Sequence, residues 1–235
     1  MSGTLSDAEL ESMTVAPWER AKQAIADGRL DDAVSSIDDA ALRIRSLQIY
    51  SIEWITSLLS FVGRELGEDA VERALRASSE DFIRARREPD DAPAWDTLPA
   101  SVRAKAIARA MVANGGGCEV SEDDEKIVLS FRCGSGGRLI DEGRYDVDGG
   151  PYLTLRERGP RTFERDALPV YCAHCSVHNE IQPVEWESAP TSIEYPPERA
   201  GEPCVHHVYK DVSAIPDEAY LRIGIKRSGR PPSTA

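Results

Sequence analysis

The stretch IARAMVANGGGCEVSEDDEKIVLSFR, residues 107–132, decides the fold. Up to Asn114 its apolar residues recur at three- and four-residue steps, the spacing of an amphipathic helix. A helix is predicted over Leu98–Asn114, with Val102, Ile107, Ala110 and Met111 on its apolar side and Gly115-Gly116-Gly117 ending it. Beyond Gly117 the period changes to two. Cys118-Glu119-Val120 and Lys126–Arg132 read as strands joined by the acidic turn Ser121–Glu125.

Toward the N-terminus the sequence is helical. PWERAKQAIADGRLDDAVSSIDDAALRIR, from Pro17, reads as two helices joined at Asp27-Gly28, with Pro17 in a first turn and Gly28 at a C-cap. Its Gly-x-Leu-x-x-Ala pattern looks like a tetratricopeptide unit, but no copy follows about 34 residues later, which argues against a solenoid. The stripe Leu30, Val34, Ile37, Ala41, Ile44, Leu47 continues through Ile52, Ile55, Leu58 and Leu66, as one long helix or as two with a break near Tyr50-Ser51. A third helical segment runs from Glu68 to about Arg87, and Glu88–Pro93 is an acidic, proline-bearing linker. Toward the C-terminus Tyr152–Arg156, Ile193–Tyr195 and Val205–Tyr209 read as strands, and a short helix follows Pro216. The expected organisation is a frayed segment 1–15, a helical region 16–88, a metal-binding domain 97–225 and a disordered tail 226–235. Helices first and strands afterwards indicate α+β architecture with a mostly antiparallel sheet.

The chain of 235 residues is 41% hydrophobic, enough for a core without a disulfide framework. Lys+Arg is 28 against Asp+Glu 41, a net charge of −13. Such a surface repels phosphate, so neither nucleic acid nor an anionic membrane is an expected partner. The longest uncharged apolar stretch, Trp54–Gly63, is half of a membrane span. No cation precedes Arg20, so a secretory leader is not expected and the reading is a soluble cytoplasmic protein. Trp54, Trp95 and Trp186 read as core or interface anchors.

Every Cys and His lies after residue 117. The sharpest cluster is Cys172-Ala173-His174-Cys175-Ser176-Val177-His178, followed by Cys204-Val205-His206-His207. A Cys-x-x-Cys turn can place two thiolates on one tetrahedron, each about 2.3 Å from a Zn2+ ion. Cys204 and a neighbouring histidine supply the other two ligands. On a strand Cys204 and His206 share a face, so His206 is preferred to His207, with His178 in reserve. The expected ligands are therefore Cys172, Cys175, Cys204 and His206. The same thiols admit an iron–sulfur cluster with Cys133. They also admit a redox dithiol of Cys172 and Cys175, which would need a helix after Cys175, and SVHNEIQP reaches Pro183 too soon for good helix material.

Phe131-Arg132-Cys133-Gly134-Ser135-Gly136-Gly137-Arg138 is the second feature. Its glycines can turn backbone N–H groups inward as an anion nest, and Arg132 or Arg138 can clamp a carboxylate or phosphate. Gly134, Ser135, Gly136 and Arg138 are thus the expected substrate-binding residues. Cys133, between arginines, is the expected nucleophile or variable ligand. No lysine-serine pair and no helix signal follow, so it is not a P-loop.

Gly201-Glu202-Pro203-Cys204 before a strand, the strand ending at Cys133 and the helix end at Asn114-Gly115 resemble the 4-vinyl reductase domains. The arrangement is also similar to the L-2-amino-thiazoline-4-carboxylic acid hydrolase family, over about residues 97–210. The resemblance implies a small-molecule-binding α+β domain with metal-associated cysteines, and it carries over Cys133 and Cys204. The CAHC run and His206-His207 depart from the family pattern.

Together these features give a zinc-dependent hydrolase acting on a small anionic molecule, with Zn2+ polarising a carbonyl or activating water. The alternative is a ligand-sensing or interaction module with a purely structural zinc. A homodimer through the helical region accompanies either reading, and a thiol oxidoreductase is the further alternative.

Overall fold

Pro17 occupies the first turn of its helix, and Gly28 adopts φ +74°, the left-handed conformation that closes it. The computed structural model describes residues 5–84 and 94–226, so the linker Glu88–Pro93 and the tail beyond residue 226 lie outside the described residues. Five helices come first: α1 (Asp7–Thr14), α2 (Pro17–Ala26), α3 (Leu30–Leu66), α4 (Glu68–Phe82) and α5 (Ala100–Ala113). Strands β1 (Cys118–Glu122) and β2 (Lys126–Phe131), the short helix α6 (Gly136–Asp141), β3 (Thr154–Leu155) and β4 (Leu168–Pro169) follow. The order ends with α7 (Gln182–Glu187), β5 (Ile193–Tyr195), β6 (Cys204–Tyr209) and α8 (Asp217–Leu221). The fold is α+β, with a helical N-terminal region and an antiparallel sheet.

Several expectations need correction. Residues 7–14 form a helix instead of fraying, because Ser6 and Glu9 cap it reciprocally: the Glu9 N–H donates to Ser6 Oγ at 3.3 Å and the Ser6 N–H to Glu9 Oε2 at 2.7 Å. Helix α3 is one piece. Its candidate break is absorbed, since the Ser51 hydroxyl donates to the Leu47 carbonyl at 2.8 Å within the helix. The chain divides into compact units at Met1–Ser51 and Ile52–Ala235, not near residue 90. The reason lies in the core: Ile52, Leu59, Val71 and Leu75 are buried with Leu139, Tyr145, Leu155, Val170 and Ile181.

In the first unit Asp39 is bonded by Arg20 and, at 2.9 Å, by Arg43, whose guanidinium also donates to the Ser12 carbonyl. In the second unit a four-stranded antiparallel sheet has the order β1-β2-β6-β5. Helix α5 covers one face through Ala104 and Ile107 against Ile127, Leu129 and Val208. Val102 points to solvent and Arg103 takes a buried position, donating to the carbonyls of Leu98 and Tyr209. Strands β3 and β4 make a separate two-stranded pair. Among the described residues no helix is long and apolar enough to cross a membrane.

Candidate metal centre

Strand β6 lies between β2 and β5, with Cys204 opposite Phe131 and His206 opposite both Leu129 and Glu194. Alternation puts Cys204, His206 and Val208 on the buried face. His207 points the other way, its ring 4.9 Å from Tyr195 and 6.5 Å from Tyr209. Because Phe131 ends β2, the chain delivers Cys133 beside Cys204.

The glycine-rich segment then turns into α6, a helix that the sequence does not signal, with the Arg138 N–H donating to the Cys133 carbonyl at 2.8 Å. None of Gly134, Gly136 and Gly137 has the left-handed φ that an anion nest requires. These glycines serve close approach instead. A Cβ at Gly136 would stand 2.9 Å from Cys172 Sγ, and one at Gly137 would stand 2.8 Å from Cys133 Cβ.

Residues 170–187 form one helical run, contrary to the poor helix expected after Cys175. It begins as a 3-10 turn at Val170–Cys172, widens to a π-helix over Cys175–Ile181 and continues as α7. Pro183 lies inside this run, and the Asn179 carbonyl one turn before it accepts instead from the Thr191 N–H at 2.8 Å. Single π turns concentrate at functional sites, and this one carries Cys175.

These three arms meet at a cavity of about 80 Å³. Cys133, Cys172, Cys175, Cys204, His174, His206 and Glu194 all line it, with Ser135, Gly136 and Gly137. Gly134 does not. Arg138 is elsewhere, held by Glu53 at 3.2 Å and Glu142 at 2.8 Å, and Arg132 lies on the surface 3.7 Å from Asp141. His178 is also apart: it is buried, and its Nε2–H donates to the Leu75 carbonyl at 2.9 Å.

The two cavity histidines are held alike. His206 Nδ1 lies 3.2 Å from Glu194 Oε1 and 3.0 Å from Ser192 Oγ. A carboxylate only accepts, so Nδ1 carries a proton and Nε2 is the nitrogen turned toward the thiol. That Nε2 is 3.7 Å from Cys204 Sγ. His174 Nδ1 likewise donates to the Tyr171 carbonyl at 2.5 Å, leaving Nε2 3.7 Å from Cys175 Sγ. A thiolate and an imidazole on one tetrahedral zinc stand about 3.6 Å apart, from bond lengths of about 2.3 and 2.0 Å. Two sulfur–nitrogen edges of that length are already present.

Burial pushes the thiols of Cys172, Cys175 and Cys204 up, Glu194 and Cys133 add to it, and Arg165 partly offsets it at Cys172 and Cys204. Burial lowers His174, which keeps it neutral. Glu194 Oε2 is buried without a hydrogen-bond partner. Its backbone N–H donates to Glu180 Oε1 at 2.6 Å, and Glu180 pairs with Arg222, whose guanidinium lies 4.5 Å over the Phe163 ring. Among the described residues no group of three or more Cys, His, Asp or Glu side chains is arranged to hold a metal ion as it stands. The donors line one cavity without converging on one point.

Sequence reasoning missed His174 and Glu194. His174 sits inside the CAHC run and reaches the cavity because the run is helical. Glu194 was concealed in a three-residue strand, and only its register opposite His206 gives it a role. Beside the cavity is an open cleft of about 760 Å³, walled by segments 140–148, 164–169 and 197–200, with Pro197 lining both spaces. No family model, curated protein or solved structure matches this chain.

Proposed function

We propose that this protein is a zinc-binding module in which the metal fastens the CAHC helical run to β6 and couples both to a ligand cleft. The observation that carries the reading is the His206 ring, whose Nδ1 is committed to Glu194 and whose Nε2 faces Cys204 Sγ at 3.7 Å. Carboxylate-oriented imidazoles of this kind are how proteins present a histidine to zinc. Cys172, Cys175, Cys204 and His206 hold the ion. Cys133, half-buried with Sγ 3.0 Å from Ser135 Oγ, is the exchangeable neighbour. Zinc binding releases the protons that burial keeps on the thiols.

The sensing role is favoured over hydrolysis by charge and size. Arg138, the cation meant for an anionic substrate, is neutralised by Glu53 and Glu142, and the cavity holds Glu194 instead. A volume of about 80 Å³ admits an ion and a few further atoms. The cleft is of substrate size. Two of its walls run directly into Cys172 and Cys204, and the third follows Cys133 through α6. Five free cysteines suit a reducing cytoplasm. A small-molecule-binding domain with metal-associated cysteines is also what the resemblance to the 4-vinyl reductase domains implies.

Metal analysis of the purified chain tests this. About one Zn2+ per chain is expected, and His206→Ala should lower zinc content more than His207→Ala. A metal-free preparation with an unchanged melting temperature sinks the proposal, because structural zinc is worth roughly 10 kcal/mol in small domains. Loss of zinc in His174→Ala but not in His206→Ala would move the fourth ligand to His174.

A further inference from the structure

Two features of the open cleft fix the sign of what it binds. Its walls bring carboxylates from all three segments: Asp141 and Asp148, then Glu164 and Asp166, then Glu198. The two cations among its lining residues, Arg165 and Arg199, do not balance them. Arg165 is committed within the wall, donating to the Pro196 carbonyl at 2.9 Å and lying 3.8 Å from Glu198. The exposed Arg132 and Arg158 stand 3.4 to 3.8 Å from Asp141, Glu164 and Asp166, and the balance stays negative.

The second feature is a pair of buried hydroxyls with nothing in the chain to bond. Tyr145 and Thr154 line the same cleft and are 1% and 2% exposed, and neither Tyr145 Oη nor Thr154 Oγ1 has a hydrogen-bond partner. Strand register fixes the direction of Thr154. It lies opposite Pro169, while Leu155 lies opposite Leu168 in the core. Alternation therefore turns Thr154 and Pro169 to the other face, where both line the cleft. Burial, with Cys172 and Cys133 adding to it, raises the Tyr145 phenol and keeps it neutral. Buried hydroxyls are nearly always bonded, so two orphans at one cleft mark where a bound molecule completes them.

We propose that the cleft binds a small aliphatic amine, ammonium groups on a hydrocarbon chain, anchored on the hydroxyls of Tyr145 and Thr154. An ammonium only donates, and a neutral hydroxyl oxygen accepts. The carboxylates of the three walls take the charge, and Ile140, Val147 and Pro169 face the hydrocarbon. An anion of the same size would meet like charge on every wall. The ligand class rests on the reading of this cleft as the binding site and does not depend on zinc.

Calorimetric titration of the full chain with spermidine, at about 0.15 M salt, tests this. Saturable one-to-one binding is expected, with none for succinate. Tyr145→Phe and Thr154→Val should each weaken spermidine about ten- to a hundred-fold, the worth of a hydrogen bond to a charged group. Neither should lower the melting temperature of the free protein, because these hydroxyls bond nothing there. Binding indifferent to both variants would be plain attraction to a chain of net charge −13, and overturns the proposal. A lowered melting temperature in both also overturns it, by assigning the hydroxyls to the fold. Succinate binding in place of spermidine overturns the ligand class and keeps the cleft as a site, whereas binding of neither overturns both. Spermidine bound, with the variant effects, by a preparation that lacks zinc upholds the ligand class and ends the zinc reading.

Discussion

The two units of this chain use apolar residues in opposite ways. Residues 1–51 bury alanines and expose leucine, isoleucine and valine. The described residues of the second unit bury Leu139, Leu155, Leu168, Val170 and Val177 completely, and Cys172, Cys175 and Cys204 nearly so. Similar amphipathic patterning underlies both. The difference lies in whether the chain itself supplies a second apolar layer. The β3–β4 pair, α6 and the helical run supply one for α4 and for the second half of α3, whereas the large apolar side chains of α3 in the first unit stay exposed.

Core truncation should show the contrast most strongly. Leu139 is fully buried, so Leu139→Ala should cost about 2–5 kcal/mol, independent of protein concentration. A cost under about 1 kcal/mol in denaturant titration would break the comparison.

A smaller effect is tied to His178, in the second unit's interior. Burial lowers its pKa to about 4, while the unfolded chain titrates near 6.5. Between those values the unfolded state binds the proton and the folded state does not. The stability this site contributes is therefore complete above about pH 6.5 and lost as pH falls through about 4, a range worth roughly 3 kcal/mol. His178→Gln should flatten the urea midpoint over that range. A midpoint with the same acid slope in the variant would assign the slope to other groups.

The smallest predicted cost belongs to Gly136. A methyl group there meets Cys172 Sγ at 2.9 Å and Tyr171 Cδ1 at 3.1 Å. Gly136→Ala should cost about 1–3 kcal/mol as overpacking and should displace the sulfur, lowering zinc content. Full zinc content and wild-type stability in this variant would show that the glycine is not a spacer for the thiol.

The sequence by itself determined what local chemistry can determine. The change of period at Gly117 marks helices before strands, Pro17 and Gly28 mark helix ends, and period-two alternation pairs Cys204 with His206 on one face. Each of these depends on neighbours within a few residues, where side-chain geometry and backbone preference act directly. What lay beyond reach depended on distant partners. Arg138 looked like an anion clamp until Glu53, 85 positions away, was found bonded to it. The glycines of residues 134–137 looked like a nest because their role is set by sulfurs that arrive from another segment. Pro183 suggested a helix break that a π turn absorbs. Glu194 gained its place only from strand register. The meeting of four thiols, two imidazoles and one carboxylate at one cavity was a tertiary decision, because burial and register, not spacing along the chain, determine which donors share a space.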